Sequence, residues 1–222
     1  MSKLIALGQC FGAPSLYQDM FDRTVFLERA RSVNLSVIEP GDVVLYGGGE
    51  DISPSIYKGE HNRFTHAPAQ PSERDAFEIE AFHRAREVGA FNYGICRGAQ
   101  MLCALSGGTL IQHVNNHAGR DHFIVTNDGR KYRTSSAHHQ MMWPFALPRD
   151  KFMVLASCPE NQSDVYVFNE QDIKRQLDVL EPEVVWFPET RSLTIQGHPE
   201  FMNPQASLVR YTRELLQQYF LS

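Results

Sequence analysis

Several features that would narrow this chain to a class are missing. None of its 222 residues fall in an apolar run of the ~18 needed to cross a bilayer. The apolar stretch within MSKLIALGQC is too short for a secretory leader, so neither membrane insertion nor export is expected. Positive charge is scarce: 21 Lys and Arg against 26 Asp and Glu leave a net charge of −5, which offers no footprint for nucleic acid. The four cysteines stand at unrelated spacings, without a disulfide framework or a paired C-x-x-C zinc pattern, and this suits a reducing cytoplasm. There is no phosphate-loop pattern G-x-x-x-x-G-K-[ST] and no helical H-E-x-x-H. His113, His117 and His122 lie close in sequence, but without Cys or that helical spacing they are not expected to hold a metal. Repeats, low-complexity tracts and linkers are absent, so residues 1–222 are expected to form one domain.

What remains is a chain with 42% hydrophobic residues, enough for a substantial core, in which short β-rich runs alternate with helical ones. Strands are expected at Lys3–Leu7, Ser36–Glu39, Val43–Tyr46 and Phe91–Ile95. Helices are expected over Gln18–Arg31, over Ser72–Val88 with a start at Pro71-Ser72-Glu73, and from Arg97 to the Gly107-Gly108 stop. Beyond that stop, Thr109–Val114, His122–Thr126 and Lys131–Thr134 read as antiparallel strands, the last two joined by the Asn127-Asp128-Gly129 turn. Phe152–Ala156, Val165–Phe168, Val184–Phe187 and Leu193–Gln196 continue in short strands, and Gln205–Tyr219 closes the chain as an amphipathic helix. The architecture this implies is a three-layer α/β sandwich with a mainly parallel sheet and an antiparallel extension.

The most informative segment is Gly94-Ile95-Cys96-Arg97-Gly98-Ala99-Gln100, between a strand and a helix. A sharp strand-to-helix turn leaves its central residue in an uncommon backbone conformation, and neighbours without a Cβ let strand and helix approach closely. The helix N-terminus then favours a thiolate at Cys96. Cys10, Cys103 and Cys158 carry no such bracket and read as small buried hydrophobes.

A nucleophile needs a base. The strand Leu193–Gln196 runs into Gly197-His198-Pro199-Glu200, where Glu200, two residues on, can face the His198 imidazole and orient it. Cys96, His198 and Glu200 then divide the labour as nucleophile, base and orienter. An oxyanion needs donors, and Val43–Tyr46 ends in Gly47-Gly48-Gly49-Glu50-Asp51. Glycines at the carboxyl end of a strand free the N–H of Gly48 or Gly49 to join that of Arg97.

Taken together, GICRGAQ, the glycine loop GGGEDISPSIY and the terminal GHPE resemble a class I glutamine amidotransferase domain of flavodoxin-like fold. GGTLIQ after the elbow and Ser135-Ser136-Ala137-His138-His139-Gln140 are similar to its branch of γ-glutamyl-γ-aminobutyrate hydrolases. The resemblance implies that Gln100 contacts the glutamine side chain or its α-substituents, and that Ser136, His138 and Gln140 help recognise the α-amino and α-carboxylate end. It also implies a hydrolase working through a γ-glutamyl thioester on glutamine or a γ-glutamyl amine, with no cofactor. The first reading is an amidotransferase that releases ammonia for a partner synthetase; the alternatives are a stand-alone γ-glutamyl-amine hydrolase and a non-catalytic member of the fold. Tyr46 stands where many members have proline, and Ser135 where asparagine often sits. Those departures bear on the leaving amine and leave the triad chemistry intact.

Overall fold

A computed structural model describes residues 2–8, 10–28 and 34–222. Its centre is a nine-stranded sheet built from runs such as Leu4-Ile5-Ala6-Leu7 and Val43-Val44-Leu45-Tyr46, which are apolar at every position because both faces are covered. The chain opens with β1 (Lys3–Leu7), the short helix α1 (Ala13–Tyr17) and β2 (Arg23–Leu27), followed by β3 (Val43–Tyr46), α2 (Glu73–Val88), β4 (Phe91–Ile95) and α3 (Arg97–Leu105). Seven short strands come next: β5 (Thr109–Ile111), β6 (His113–Val114), β7 (His122–Thr126), β8 (Lys131–Thr134), β9 (Met141–Trp143), β10 (Met153–Ser157) and β11 (Tyr166–Val167). The chain ends with β12 (Ile173–Lys174), β13 (Pro182–Phe187), β14 (Ser192–Ile195) and α4 (Ser207–Phe220).

The sheet order is β2-β1-β3-β4-β14-β13-β10-β7-β8. Pairing is parallel from β2 through to β14 and antiparallel from β14 to β8. Alternation along the strands sorts side chains into two apolar layers. Leu4, Ala6, Val43, Leu45, Tyr93 and Ile95 pack with α1 and α4 on one face. Ile5, Leu7, Val44 and Tyr46 pack with Phe77, Ala81, Phe82 and Ala85 of α2 on the other. This is the three-layer α/β sandwich with the antiparallel extension. Among the described residues no helix is long and apolar enough to cross a membrane.

Two expected elements differ. Over Gln18–Arg31 the structure has a 3-10 turn at Gln18–Met20 and then strand β2, while residues 29–31 of that expected helix lie outside the described residues. Thr24, Val25 and Phe26 suit a strand, and parallel pairing with β1 outweighs their helix-like spacing. Ser36–Glu39 is not a strand either: Leu35–Val37 forms a 3-10 turn whose first free N–H groups are met by the Asn34 side chain, which accepts from the Ser36 N–H. The α2 start is as expected. Ser72 caps it, its hydroxyl accepting from the Asp75 N–H at 3.1 Å while Asp75 accepts from the Ser72 N–H at 2.9 Å.

Candidate functional site

Cys96 sits where β4 ends and α3 begins, at φ 51° and ψ −107°, a backbone conformation rarely tolerated outside glycine. The surrounding contacts hold it there. Its N–H donates to the Ile195 carbonyl at 2.8 Å, and its carbonyl accepts the first α3 bond, from Gln100, at 3.1 Å. The flanking glycines serve close approach. A Cβ on Gly94 would lie 2.5 Å from the Gly98 backbone, and one on Gly98 would run into the Tyr46 carbonyl.

The candidate base follows the neighbouring strand. Strand β14 pairs in parallel with β4, Ile195 opposite Ile95, so the chain leaves both strands at the same level. His198 Nδ1 lies 2.8 Å from Glu200 Oε1, and this leaves the other ring nitrogen for Cys96. The pair forms across the start of a 3-10 turn, Pro199–Phe201, rather than along an extended segment. Phe201 stacks on the imidazole at 4.4 Å and 8°. His198 is 4% exposed, and burial by itself would lower its pKa. Hydrogen bonds to Cys96 and Glu200 outweigh that effect and hold it up at about 10. The imidazolium is therefore the favoured form beside the sulfur at neutral pH.

The glycine loop closes the third side. A Cβ on Gly48 would lie 2.9 Å from His198 Cε1 and 3.7 Å from Cys96 Cβ, so the loop backbone packs directly on the pair. Arg74 of α2 grips the loop from behind: its Nη2 donates to the Gly47 and Gly48 carbonyls at 3.2 and 2.9 Å. In a trans peptide each carbonyl points opposite the next N–H, so those two bonds turn the Gly48 and Gly49 N–H groups away from Arg74. Gly49, at φ 144°, has no room for a side chain beside that guanidinium. Arg97 contributes to the candidate oxyanion hole by its backbone alone. Its guanidinium, 1% exposed, pairs with buried Asp75 at 2.5 Å and with buried Glu78, tying α3 to α2.

Of the candidate substrate contacts, Gln100 is buried and its amide donates to the Gln140 carbonyl at 2.9 Å. Ser136 Oγ and Gln140 Oε1 are buried without hydrogen-bond partners. His138 is buried as well, with Nδ1 2.8 Å from the Gln140 carbonyl. Burial, reinforced by His117 and His122, depresses its pKa well below the usual imidazole range, so it is neutral. The segment adjoins the base: the His198 N–H donates to the Ser135 carbonyl at 2.9 Å. Cys10, Cys103 and Cys158 are free and buried, and burial pushes the first two up to about 12.

Sequence reasoning missed Arg74, Asp75 and Glu78. The i,i+4 spacing of Arg74 and Glu78, whose side chains meet at 2.9 Å, was a usable signal. It also missed the partners of the histidines. His113 stacks on Phe64 at 5.5 Å, whereas His117 and His122 converge with Glu183.

YvdE of Lactococcus lactis subsp. lactis, named as glutamine amidotransferase-like, is 26% identical over 195 residues, 83% of this chain and 77% of its own. RP404 of Rickettsia prowazekii, named likewise, is 33% identical over 94 residues, 42% of this chain and 32% of its own. Matches to these and a Lactococcus lactis subsp. cremoris homologue of YvdE span from about a third to three quarters of the relatives' lengths. Among solved structures, a glutamine amidotransferase of Thermotoga maritima superposes with a TM-score of 0.55 at 12% identity, covering 98% of this chain and 94% of that one. PurLQS from the same organism gives 0.51 at 14%, covering 99% and 97%. Both show likeness of fold. The Peptidase C26 family matches residues 25–185, which include the glycine loop, Cys96 and the Ser135–Gln140 segment and stop before His198. Spanning well over half of the 222 residues, that match establishes that the chain belongs to the Peptidase C26 family.

Proposed function

We propose that the protein hydrolyses the γ-amide of glutamine or of a γ-glutamyl amine through a thioester on Cys96. The observation that carries this reading is the strained elbow cysteine packed against a histidine held charged by Glu200. Family membership and the glutamine amidotransferase-like relatives support the reaction class.

In the proposed sequence the Cys96 sulfur attacks the γ-carbonyl and its oxygen takes the negative charge. The N–H groups of Gly48 or Gly49 and of Arg97 stabilise that oxyanion, each such donor being worth ~3 kcal/mol in acyl transfer. His198 gives its proton to the departing nitrogen as the C–N bond breaks, which leaves a γ-glutamyl thioester and free ammonia or amine. It then takes a proton from water, whose oxygen attacks the thioester, and glutamate leaves with Cys96 restored. Glu200 holds the ring throughout. Ser136, His138 and Gln140 are assigned to the glutamyl α-substituents and Gln100 to those or to the glutamine side chain, and the unpartnered Ser136 Oγ and Gln140 Oε1 supply free polar atoms.

The first form of the proposal has ammonia passing to a partner synthetase in the cytoplasm. The γ-glutamyl-amine form rests on the E-D-I-S-P-S-I-Y and S-S-A-H-H-Q segments. One experiment tests both: glutamate release from glutamine and from a panel of γ-glutamyl amines, beside Cys96→Ala. Turnover of glutamine that rises on adding a copurifying protein favours the first form, and partner-free turnover of one amine the second. Equal release by Cys96→Ala refutes the triad.

A further inference from the structure

Behind the Ser135–Gln140 segment lies a second polar cluster that the proposed reaction does not use. His117, from the loop after β6, meets His122 at the start of β7 and Glu183 on β13, and all three are buried. His122 Nε2 lies 2.8 Å from Glu183 Oε1, and the His117 and His122 rings meet edge to face at 5.0 Å. One ligand atom from each of the three residues falls within 4.8 Å of the others. Cys158, after β10, places its thiol 3.5 Å from Glu183 Oε1.

The cluster is short of partners. His117 Nδ1 and Glu183 Oε2, in residues that are 0% exposed, make no hydrogen bond. His117 Nε2 lies 3.2 Å from Glu181 Oε2, within ion-pair range. Glu181 is satisfied elsewhere, accepting from the Tyr166 hydroxyl at 2.7 Å and the Gln162 and Ser163 N–H groups at 2.9 and 3.0 Å. Buried polar atoms are nearly always paired with protein, water or an ion, so His117 Nδ1 and Glu183 Oε2, unpaired within one three-residue cluster, point to a missing occupant.

We infer that His117, His122 and Glu183 form a structural site for a divalent transition metal, zinc by its chemistry. Two imidazoles and one carboxylate are donors that zinc takes in its tetrahedral sites. Calcium and magnesium take six or more oxygens and find too few here. An ion at this point joins the His117 loop to β7 and β13 behind His138, whose ring packs 4.6 Å from that of His117. The site is independent of the Cys96 chemistry and stands or falls separately from it.

The test uses the full chain, its metal content measured after dialysis and again after chelation and titration with Zn2+ or Co2+. The expected result is about one zinc per chain and a Co2+ visible spectrum of tetrahedral type. Zinc should raise the melting temperature of the metal-free protein. Binding is expected to fall at least tenfold in Glu183→Gln and in His117→Asn, and to be unchanged in Cys96→Ala. His66→Ala probes the other metal-capable group among the described residues, Asp51, His66 and His139, and is also expected to leave binding unchanged. If the ligand variants fail to fold, the wild-type stoichiometry and Co2+ spectrum decide. Metal well below one equivalent with no thermal shift overturns the inference. So does binding undiminished in folded Glu183→Gln, or binding lost only in His66→Ala.

Discussion

Gly48 is the sharpest probe of the candidate site, because a single methyl there touches the base and spares the backbone. Its φ lies outside the left-handed region, so alanine adds no strain, yet the new Cβ would sit 2.9 Å from His198 Cε1. Ordinary contact begins at 3.4 Å, so the ring or the loop must give by at least about 0.5 Å. The ring has little room to retreat, held by Glu200 at 2.8 Å and stacked on Phe201 at 4.4 Å. The loop is held in turn by Arg74 on its carbonyls. Misplacement on the order of 1 Å costs roughly 10²-fold in rate, so Gly48→Ala is expected to lose about 10- to 100-fold in kcat. Its melting temperature should stay within a few degrees of wild type. Glutamate release measures the loss, and alkylation of Cys96 by iodoacetamide measures the same displacement without a substrate. A folded variant with rates within twofold of wild type in both assays would refute the idea that this packing holds the base.

Glu200→Gln removes one of the two partners that keep His198 protonated against the effect of burial. Its imidazole is expected to titrate lower, moving the alkaline limb of the kcat/KM profile from about 10 towards neutrality; an unmoved limb argues against the pairing. Arg74→Met frees the Gly47 and Gly48 carbonyls. We expect roughly 10- to 100-fold loss in kcat with KM little changed, and a loss confined to KM would show that the clamp serves binding instead. Arg97→Met removes the buried cation from both carboxylates, leaving Asp75 to its Ser72 bonds and Glu78 to Arg74. Urea unfolding should register a destabilisation of about 3–5 kcal/mol, and less than ~1 would mean that the carboxylates are neutral or rehydrated.

The site was legible where chemistry is encoded in a few contiguous residues. GICRGAQ announces an elbow because its glycines are needed locally, and GHPE offers a candidate base because a histidine, with a carboxylate two residues on, follows a strand closely. Tertiary pairing defeats such local reading. Thr24-Val25-Phe26 became a strand because β1 lay open beside it, a fact that no spacing within residues 18–31 carries. Arg97 finds its carboxylates 19 and 22 positions earlier, and Arg74 reaches a loop 26 and 27 positions before it. Nothing in the run Ser135–Gln140 says that His138 is enclosed, and only folding reveals it as buried and neutral.

The shared level of β4 and β14 has an evolutionary consequence. Ile95 and Ile195 are opposite one another, so the separation of Cys96 and His198 is inherited from a hydrogen-bonded ladder whose strands lie ~4.8 Å apart. Chain inserted between residues 105 and 192 departs from that ladder and returns to it, and its length does not enter the spacing. Provided that Ser135 keeps its carbonyl on His198, this stretch is a cassette in which new partners and substrates can be tried while the reacting atoms stay in place.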